Sequence, residues 1–227
     1  MRVVALRRYP VKSLGGESLG SVSVDERGLA GDRWYAVVDG DGRFACGKDT
    51  RRFRRRDAVF SYAAHTTPSS VVVTGPGGSW SVGDPALDAH LSAACDAEVA
   101  VLPEGDVPHF DAEAVSLIGT ATLDWCRTEL GVDADVRRLR TNVVVETTEP
   151  FVEETWVGSG LTIGSVGLSV SERVERCRTI NLAQDGVATT TPWLKALGAS
   201  RDLCVAVYAS VVAPGVLSVG DAVVLGG

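Results

Sequence analysis

Short Val-rich runs in which apolar and polar residues alternate recur along the chain, cut by Gly, Pro and Asp rather than joined into long amphipathic stretches. Alternation with period two turns one face of a strand to a core and the other to solvent. In the first hundred residues this predicts strands at RVVALRRYP, SVSVD, WYAVVD, RFACG, SVVVTG and SWSVG, with Gly-Asp-Gly joining the third to the fourth and GPGG joining the last two. GDPALDAHLSAAC then reads as a helix, with Asp84 placed to cap it, Pro85 at its first position and Leu87 and Leu91 four apart. EVAVL is a further strand. From Pro103 to Glu113, PEGDVPHFDAE has no apolar periodicity, so the division between two lobes is placed near residue 105.

Beyond that point VSLIG leads into a second helix, TATLDWCRTELG, with Leu123, Arg127 and Leu130 at helical spacing and Gly131 able to end it in the left-handed region. NVVVE, LTIGSVGLSVSE, CVAVYASVV and VLSVGDAVVL are Val-rich runs broken by Gly and the Pro214-Gly215 turn, and only TPWLKALG interrupts them with a short helical pattern. The expected fold is mainly β with a few helices, in two lobes spanning residues 1–105 and 106–227. Closure into β-barrels is expected because it removes unpaired strand edges.

The chain has 227 residues, 22 Lys and Arg against 29 Asp and Glu, for a net charge of −7. That balance argues against a protein that coats nucleic acid or anionic membrane. The N-terminal MRVVALRRYP has too short an apolar run for a signal peptide or a membrane span, so a cytoplasmic location is expected. Cys46, Cys95, Cys126, Cys177 and Cys204 are widely spaced, with no CxxC pair, so free thiols are expected and an iron–sulfur centre is not. Cys46 apart, three of these sit among apolar or helical neighbours. Cys177 differs, because Arg176 and Arg178 bracket it in VERCRT and guanidinium charge favours thiolate.

KDTRRFRRR, from Lys48 to Arg56, reads as a solvated loop or a local site for a phosphorylated ligand. His65, His90 and His109 share no metal-ligand spacing. No Gly-rich phosphate loop and no GxSxG turn occurs, so nucleotide, dinucleotide and serine-hydrolase functions lack their usual motifs. Lys12 and Ser13, beside flexible glycines in YPVKSLGG, present a cation and a hydroxyl fit for a phosphate or pterin edge, or simply a soluble loop.

Taken together and in order, these pieces resemble the MOSC-domain proteins, the family that includes the molybdenum cofactor sulfurase C-terminal domain and the amidoxime-reducing component. YPVKSLGGE, GLAGDRWYAVVDGDGRF and GKDTRRF are similar to its N-terminal β-barrel domain. FDAEAVSLIGTATL, RRLRTNVVVE, PFVEETWVGSGLTIG, VERCRT and VAVYASVVAPGVLSVGDAV are similar to the MOSC domain proper. The resemblance implies binding of the molybdenum cofactor, molybdopterin with its metal, by Lys12, Ser13 and Arg33 from the first lobe and Thr120, Arg140, Asn142, Arg176 and Tyr208 from the second. It places Cys177 as the metal ligand, a soft thiolate suited to molybdenum. Ser116 to Thr122 is implied to line the cofactor, although the family's Thr-Glu-Ala reads Gly119-Thr120-Ala121 here. The Asp found six positions after the cysteine in reductase-like members is Ala183, with Asp185 two further on, and INLAQDGVATTTPW is unusually Thr-rich for that loop.

The activity so implied is reduction of N-hydroxylated or N-oxide small molecules, the metal cycling between Mo(IV) and Mo(VI). No flavin, haem or iron–sulfur motif occurs, so the electrons are expected from a separate reductase, for which an acidic surface suits a basic partner. The alternatives are a sulfur carrier holding a persulfide on Cys177, fed by an outside donor, and a non-catalytic cofactor-binding accessory protein. Substrate, oligomeric state and the choice of molybdenum or tungsten are open at this level.

Overall fold

Val22 and Val24 are buried and Ser21, Ser23 and Asp25 exposed in the strand Ser21–Asp25, the pattern alternation predicts. A computed structural model describes residues 1–188 and 192–226. It is built mainly from strands, with few helices, as expected. The largest sheet has eight strands in the order Val223–Leu225, Gly160–Ile163, Val166–Glu175, Cys204–Ala213, Val115–Gly119, Val143–Val145, Val3–Arg8 and Glu17–Leu19. At its centre Val115–Gly119 and Val143–Val145 run parallel and are buried throughout, so they read as unbroken apolar runs rather than alternating ones. A parallel pair needs a crossover. Here it carries the predicted helix Thr120–Glu129 and the short helix Val136–Leu139.

The expected barrel is approached by a bridge rather than by a full ladder. The ladder order leaves this sheet with two ends, and its edge strand Val223–Leu225 meets the start of Val3–Arg8, the last strand but one, through an isolated antiparallel bridge between Arg2 and Ala222 and single backbone bonds rather than a continuous ladder. Val3 N–H donates to the Asp221 carbonyl at 2.9 Å, Gly220 N–H to that of Val3 at 2.8 Å and Val223 N–H to that of Met1 at 2.9 Å. In the first half, two open sheets lie beside one another. One pairs Val99–Pro103, Tyr35–Asp39, Phe44–Cys46 and Phe53–Arg55; the other pairs Gly78–Ser81, Val71–Gly75 and Ala63–Thr66. No ladder closes either into a complete barrel among the described residues, and the helix Pro85–Cys95 covers part of the apolar surface with Leu87, Leu91 and Cys95. Its cap forms as predicted, the Asp84 carboxylate accepting the Ala86 N–H at 2.9 Å.

Three main cores result, the third formed by Ile118, Cys126, Val144, Trp193 and Val205, and the first thirty residues cross the division placed at residue 105. Val3, Leu6, Val22, Val24 and Leu29 pack with Val115, Leu117, Val143, Leu161 and Val207, while Val11, Leu14, Val37, Val59, Leu87 and Val101 form the second core. The strand Val3–Arg8 pairs with Val143–Val145 on one side and Glu17–Leu19 on the other. The turn after it is thereby delivered to the seam between the cores. Among the described residues no helix is long and apolar enough to cross a membrane.

Candidate functional site

Several loops converge on that seam. Lys12 and Ser13 follow the first strand, Arg33 precedes Tyr35–Asp39, Arg140 ends the helix Val136–Leu139, Arg176 and Cys177 follow the long strand Val166–Glu175, and Tyr208 faces in from Cys204–Ala213. All seven line one cavity. Thr120 and Asn142 do not. The Thr120 hydroxyl is tied to the Thr147 backbone, donating to its carbonyl at 3.2 Å and accepting its N–H at 3.1 Å. Asn142 stands behind the wall, where its Oδ1 accepts the Ser116 hydroxyl at 2.9 Å and its Nδ2 donates to the Arg7 carbonyl at 3.3 Å. Ser116 is the residue of the 116–122 segment that reaches the cavity.

The walls carry a marked excess of positive charge: Lys12, Arg33, Lys48, Arg138, Arg140 and Arg176 against Asp111 and Glu175. Burial pulls the Lys12 ammonium below its usual pKa, an effect that Asp111 partly offsets. Arg33 bonds Asp32 and donates to the Arg140 carbonyl at 3.3 Å. Burial opposes its charge, but Asp32 and Asp111 outweigh that and raise it. Arg140 is lowered by burial and lies 4.4 Å above the Tyr9 ring, with its Nη2 buried and unpartnered. A guanidinium stays charged under these conditions, so a cavity-lining arginine carries a donor without a partner.

Three residues of the cavity wall hold strained backbone. Ser13, Arg33 and Arg140 all hold left-handed φ, at 70°, 54° and 54°. Each costs a non-glycine residue about 1 kcal/mol, and such costs concentrate where side chains must be aimed. The Ser13 hydroxyl donates to the Ala45 carbonyl at 2.8 Å, and the Arg33 N–H to that of Tyr9 at 2.8 Å, which fixes both turns.

Cys177 is half-buried, whereas Cys46, Cys95, Cys126 and Cys204 are buried. Burial pushes all four of those thiols up, Cys126 to about 12. The arginines beside Cys177 are engaged elsewhere. Arg176 donates twice to the Val205 carbonyl, at 3.0 and 2.8 Å, and once to that of Leu139 at 2.7 Å. Arg178 reaches across the seam to Asp57 at 2.7 and 2.5 Å and to the Gly47 carbonyl at 3.2 Å. The thiol itself donates to the Thr179 hydroxyl at 3.4 Å. Gly47 is small for a reason, since a Cβ there would lie 2.6 Å from Thr179 Oγ1.

The Arg178–Asp57 bond fastens the Cys177 turn to the first half of the chain and titrates in a defined direction. Its hydrogen bonds from Arg178 hold the Asp57 carboxyl below its usual pKa, against burial. A depressed folded-state pKa gives stability that is complete above the unfolded value and lost as pH falls through the folded one. Asp57→Asn is therefore expected to unfold at lower urea than the unsubstituted chain near neutral pH, with the gap closing below about pH 4. A gap that stays constant from neutrality to acid would show that the carboxylate contributes no charge-dependent tie.

Asp185 does not take the place of the Asp missing at Ala183. Its carboxylate accepts from Arg7 at 2.6 Å and lies outside the cavity, clamping the loop to the first strand. Thr189 to Thr191 of that loop lie outside the described residues. Sequence reasoning did not single out Lys48, Asp111 or Arg138 as site residues. Lys48 lies in the basic run, which did carry a signal; the loop bearing Asp111 has no periodicity to read.

Fold and cavity define a mainly β protein with an anion-seeking site and a half-exposed thiol at its wall. Two protein-family models match the sequence, the MOSC N-terminal beta barrel domain over residues 1–82 and the MOSC domain over 103–224. The chain belongs to the MOSC family. No curated protein matches it. Among solved structures, the YuaD protein from Bacillus subtilis is similar at 13% identity and a TM-score of 0.54, over 98% of this chain and 93% of that one. YiiM from Escherichia coli is 14% identical at a TM-score of 0.47, over 100% of this chain and 70% of that one. At these identities the likeness is one of fold.

Proposed function

We propose that this chain binds the molybdenum cofactor and is a cytoplasmic oxidoreductase that reduces N-hydroxylated or N-oxide small molecules with electrons from a separate reductase. The observation that carries the reading is a single cavity joining the half-exposed Cys177 thiol to an excess of cations with an unpartnered Arg140 Nη2. Among the described residues no three His, Cys, Asp or Glu side chains are grouped to hold a metal. One thiol suits a metal that arrives with most of its ligands on an organic group, and anionic phosphate and dithiolene suit these walls. When bound, the cofactor supplies a two-electron couple that takes oxygen from nitrogen, for a net R–NHOH + 2e⁻ + 2H⁺ → R–NH₂ + H₂O.

The chain's own residues bind, orient and protonate. Lys12, Arg33 and Arg140 hold the anionic group, Ser13 and Ser116 offer hydroxyls, and Cys177 fixes the metal. Tyr208 is raised by burial and by Asp111, against Arg176, so its hydroxyl keeps its proton and can donate it at the cavity wall. Metal-loaded chain given a chemically reduced surrogate donor and benzamidoxime is expected to yield benzamidine, followed by chromatography. Loaded chain that turns over no amidoxime, hydroxylamine or N-oxide defeats the reductase reading.

The half-exposed Cys177 thiol also suits a second reading, a sulfur carrier with a Cys177 persulfide, while Ala183, where reductase-like members have Asp, favours a non-catalytic accessory role. One added sulfur on Cys177 after incubation with a cysteine desulfurase, seen by mass spectrometry, is the test of the carrier reading.

A further inference from the structure

The loop after Pro103 is pinned at intervals. Arg27 grips Glu104 at 2.7 and 2.5 Å, Glu104 accepts the His109 N–H at 2.7 Å, and the His109 ring meets the Arg33 carbonyl at 3.1 Å. Arg52 holds the Pro108 carbonyl at 2.7 Å, and Arg27 lies 5.2 Å from the Phe110 ring. The anchors stop there. Asp111 is the first residue beyond them, and its carboxylate turns back over the cavity, with Oδ1 3.1 Å from Lys12 Nζ and 4.0 Å from Lys48 Nζ. Both ammonium groups rest on the Phe53 ring, at 5.0 and 4.7 Å. The Lys12 side chain is 5% exposed and that of Asp111 is 52% exposed, so the cation is built in and the anion sits at the rim.

We infer that Asp111 is a specificity-determining residue, a resident carboxylate that occupies an anion seat on Lys12 and Lys48 and yields it only to a ligand bearing a phosphoryl group. This rests on the reading of the cavity as a site for an anionic cofactor. A buried ammonium stripped of its partner is costly, so the carboxylate leaves only in exchange for another anion. A small monoanion offers Lys12 nothing that Asp111 does not already provide. A phosphate dianion brings more charge and further oxygens, and Arg33 and Arg140 line the same cavity with the positive charge that favours it. Asp111 thus keeps cellular carboxylates out and leaves the seat to the phosphate of the cofactor.

The test uses the full chain purified without cofactor, titrated calorimetrically with inorganic phosphate and with acetate at fixed ionic strength. Asp111→Asn is expected to bind phosphate at least about tenfold more tightly than the unsubstituted chain, and to bind acetate, which the unsubstituted chain does not. Lys12→Met in the Asp111→Asn background is expected to remove both. Phosphate binding to Asp111→Asn that is unchanged or weaker overturns the inference, and so does acetate binding by the unsubstituted chain. Asp111→Ala, checked by circular dichroism, repeats the measurement without a side-chain amide. Because no metal is present, tightened phosphate binding in a chain that never acquires molybdenum leaves this inference standing and defeats only the cofactor assignment.

Discussion

Cys177→Ser is expected to lose molybdenum while keeping its fold. The thiol is half-buried and its hydrogen bond, to Thr179 at 3.4 Å, is a weak one, so serine costs within about 0.5 kcal/mol of stability. Serine replaces a soft sulfur ligand by a hard oxygen one, which suits molybdenum less well. Metal content is expected to drop at least about tenfold, to a small fraction of an atom per chain. Elemental analysis and thermal unfolding of the same preparation separate the two effects. Full metal content in a folded Cys177→Ser chain removes the thiol from the metal site. Loss of both together makes the residue structural.

The largest stability effect is expected at Arg138, whose side chain is 1% exposed. It grips Asp133 at 2.6 Å and reaches past it to the carbonyls of Ile180, at 3.3 Å, Leu182, at 2.9 Å, and Ala188. Asp133 also accepts the Trp193 indole N–H at 2.8 Å, so one guanidinium joins the helix before Arg140, the turn after Cys177 and the helix Trp193–Ser200. Arg138→Met fills the space but takes the guanidinium from the partly exposed Asp133 carboxylate and from several carbonyls. Removing one partner of a fully buried pair costs about 3 to 5 kcal/mol, and with Asp133 partly exposed the loss here is expected at the lower end, about 3 kcal/mol. For a chain of this size that lowers Tm on the order of 10 °C. A shift within the error of the melting curve would mean that the loop holds its place without this residue.

Those two predictions draw on different layers of the molecule, and the layers were unequally legible. Alternation exposed the strand Ser21–Asp25, and spacing with Asp84 and Pro85 exposed the helix Pro85–Cys95, because both signals are local. Which sheet a strand joins is not local. Val3–Arg8 carries the same Val-rich text as its neighbours, yet it pairs with residues about 140 positions away, and a division of the chain near residue 105 follows from composition alone. Barrel closure was legible as a tendency, while its execution by single bonds from Val3 to Asp221 and Gly220 depends on strand ends that no pattern marks.

In the site, Lys12, Ser13, Arg33, Arg140, Arg176, Cys177 and Tyr208 were named from the resemblance and meet in one cavity. The same resemblance implies Thr120 and Asn142, which do not line it, since a motif marks a segment and not the direction of each side chain. Arg176 and Arg178 read as partners of the thiol because they adjoin it, but a side chain that long finds the carbonyls and carboxylate its geometry offers. Asp111 was invisible for the opposite reason: its loop is held by Glu104 and His109, not by any periodic pattern.

Molybdenum and pterin content, measured together on chain purified from a host that makes the cofactor, tests the central claim most directly. The account predicts about one metal and one pterin per chain, in keeping with one thiol and one cation-walled cavity. Folded chain that carries neither, from a host in which the cofactor is abundant, contradicts it.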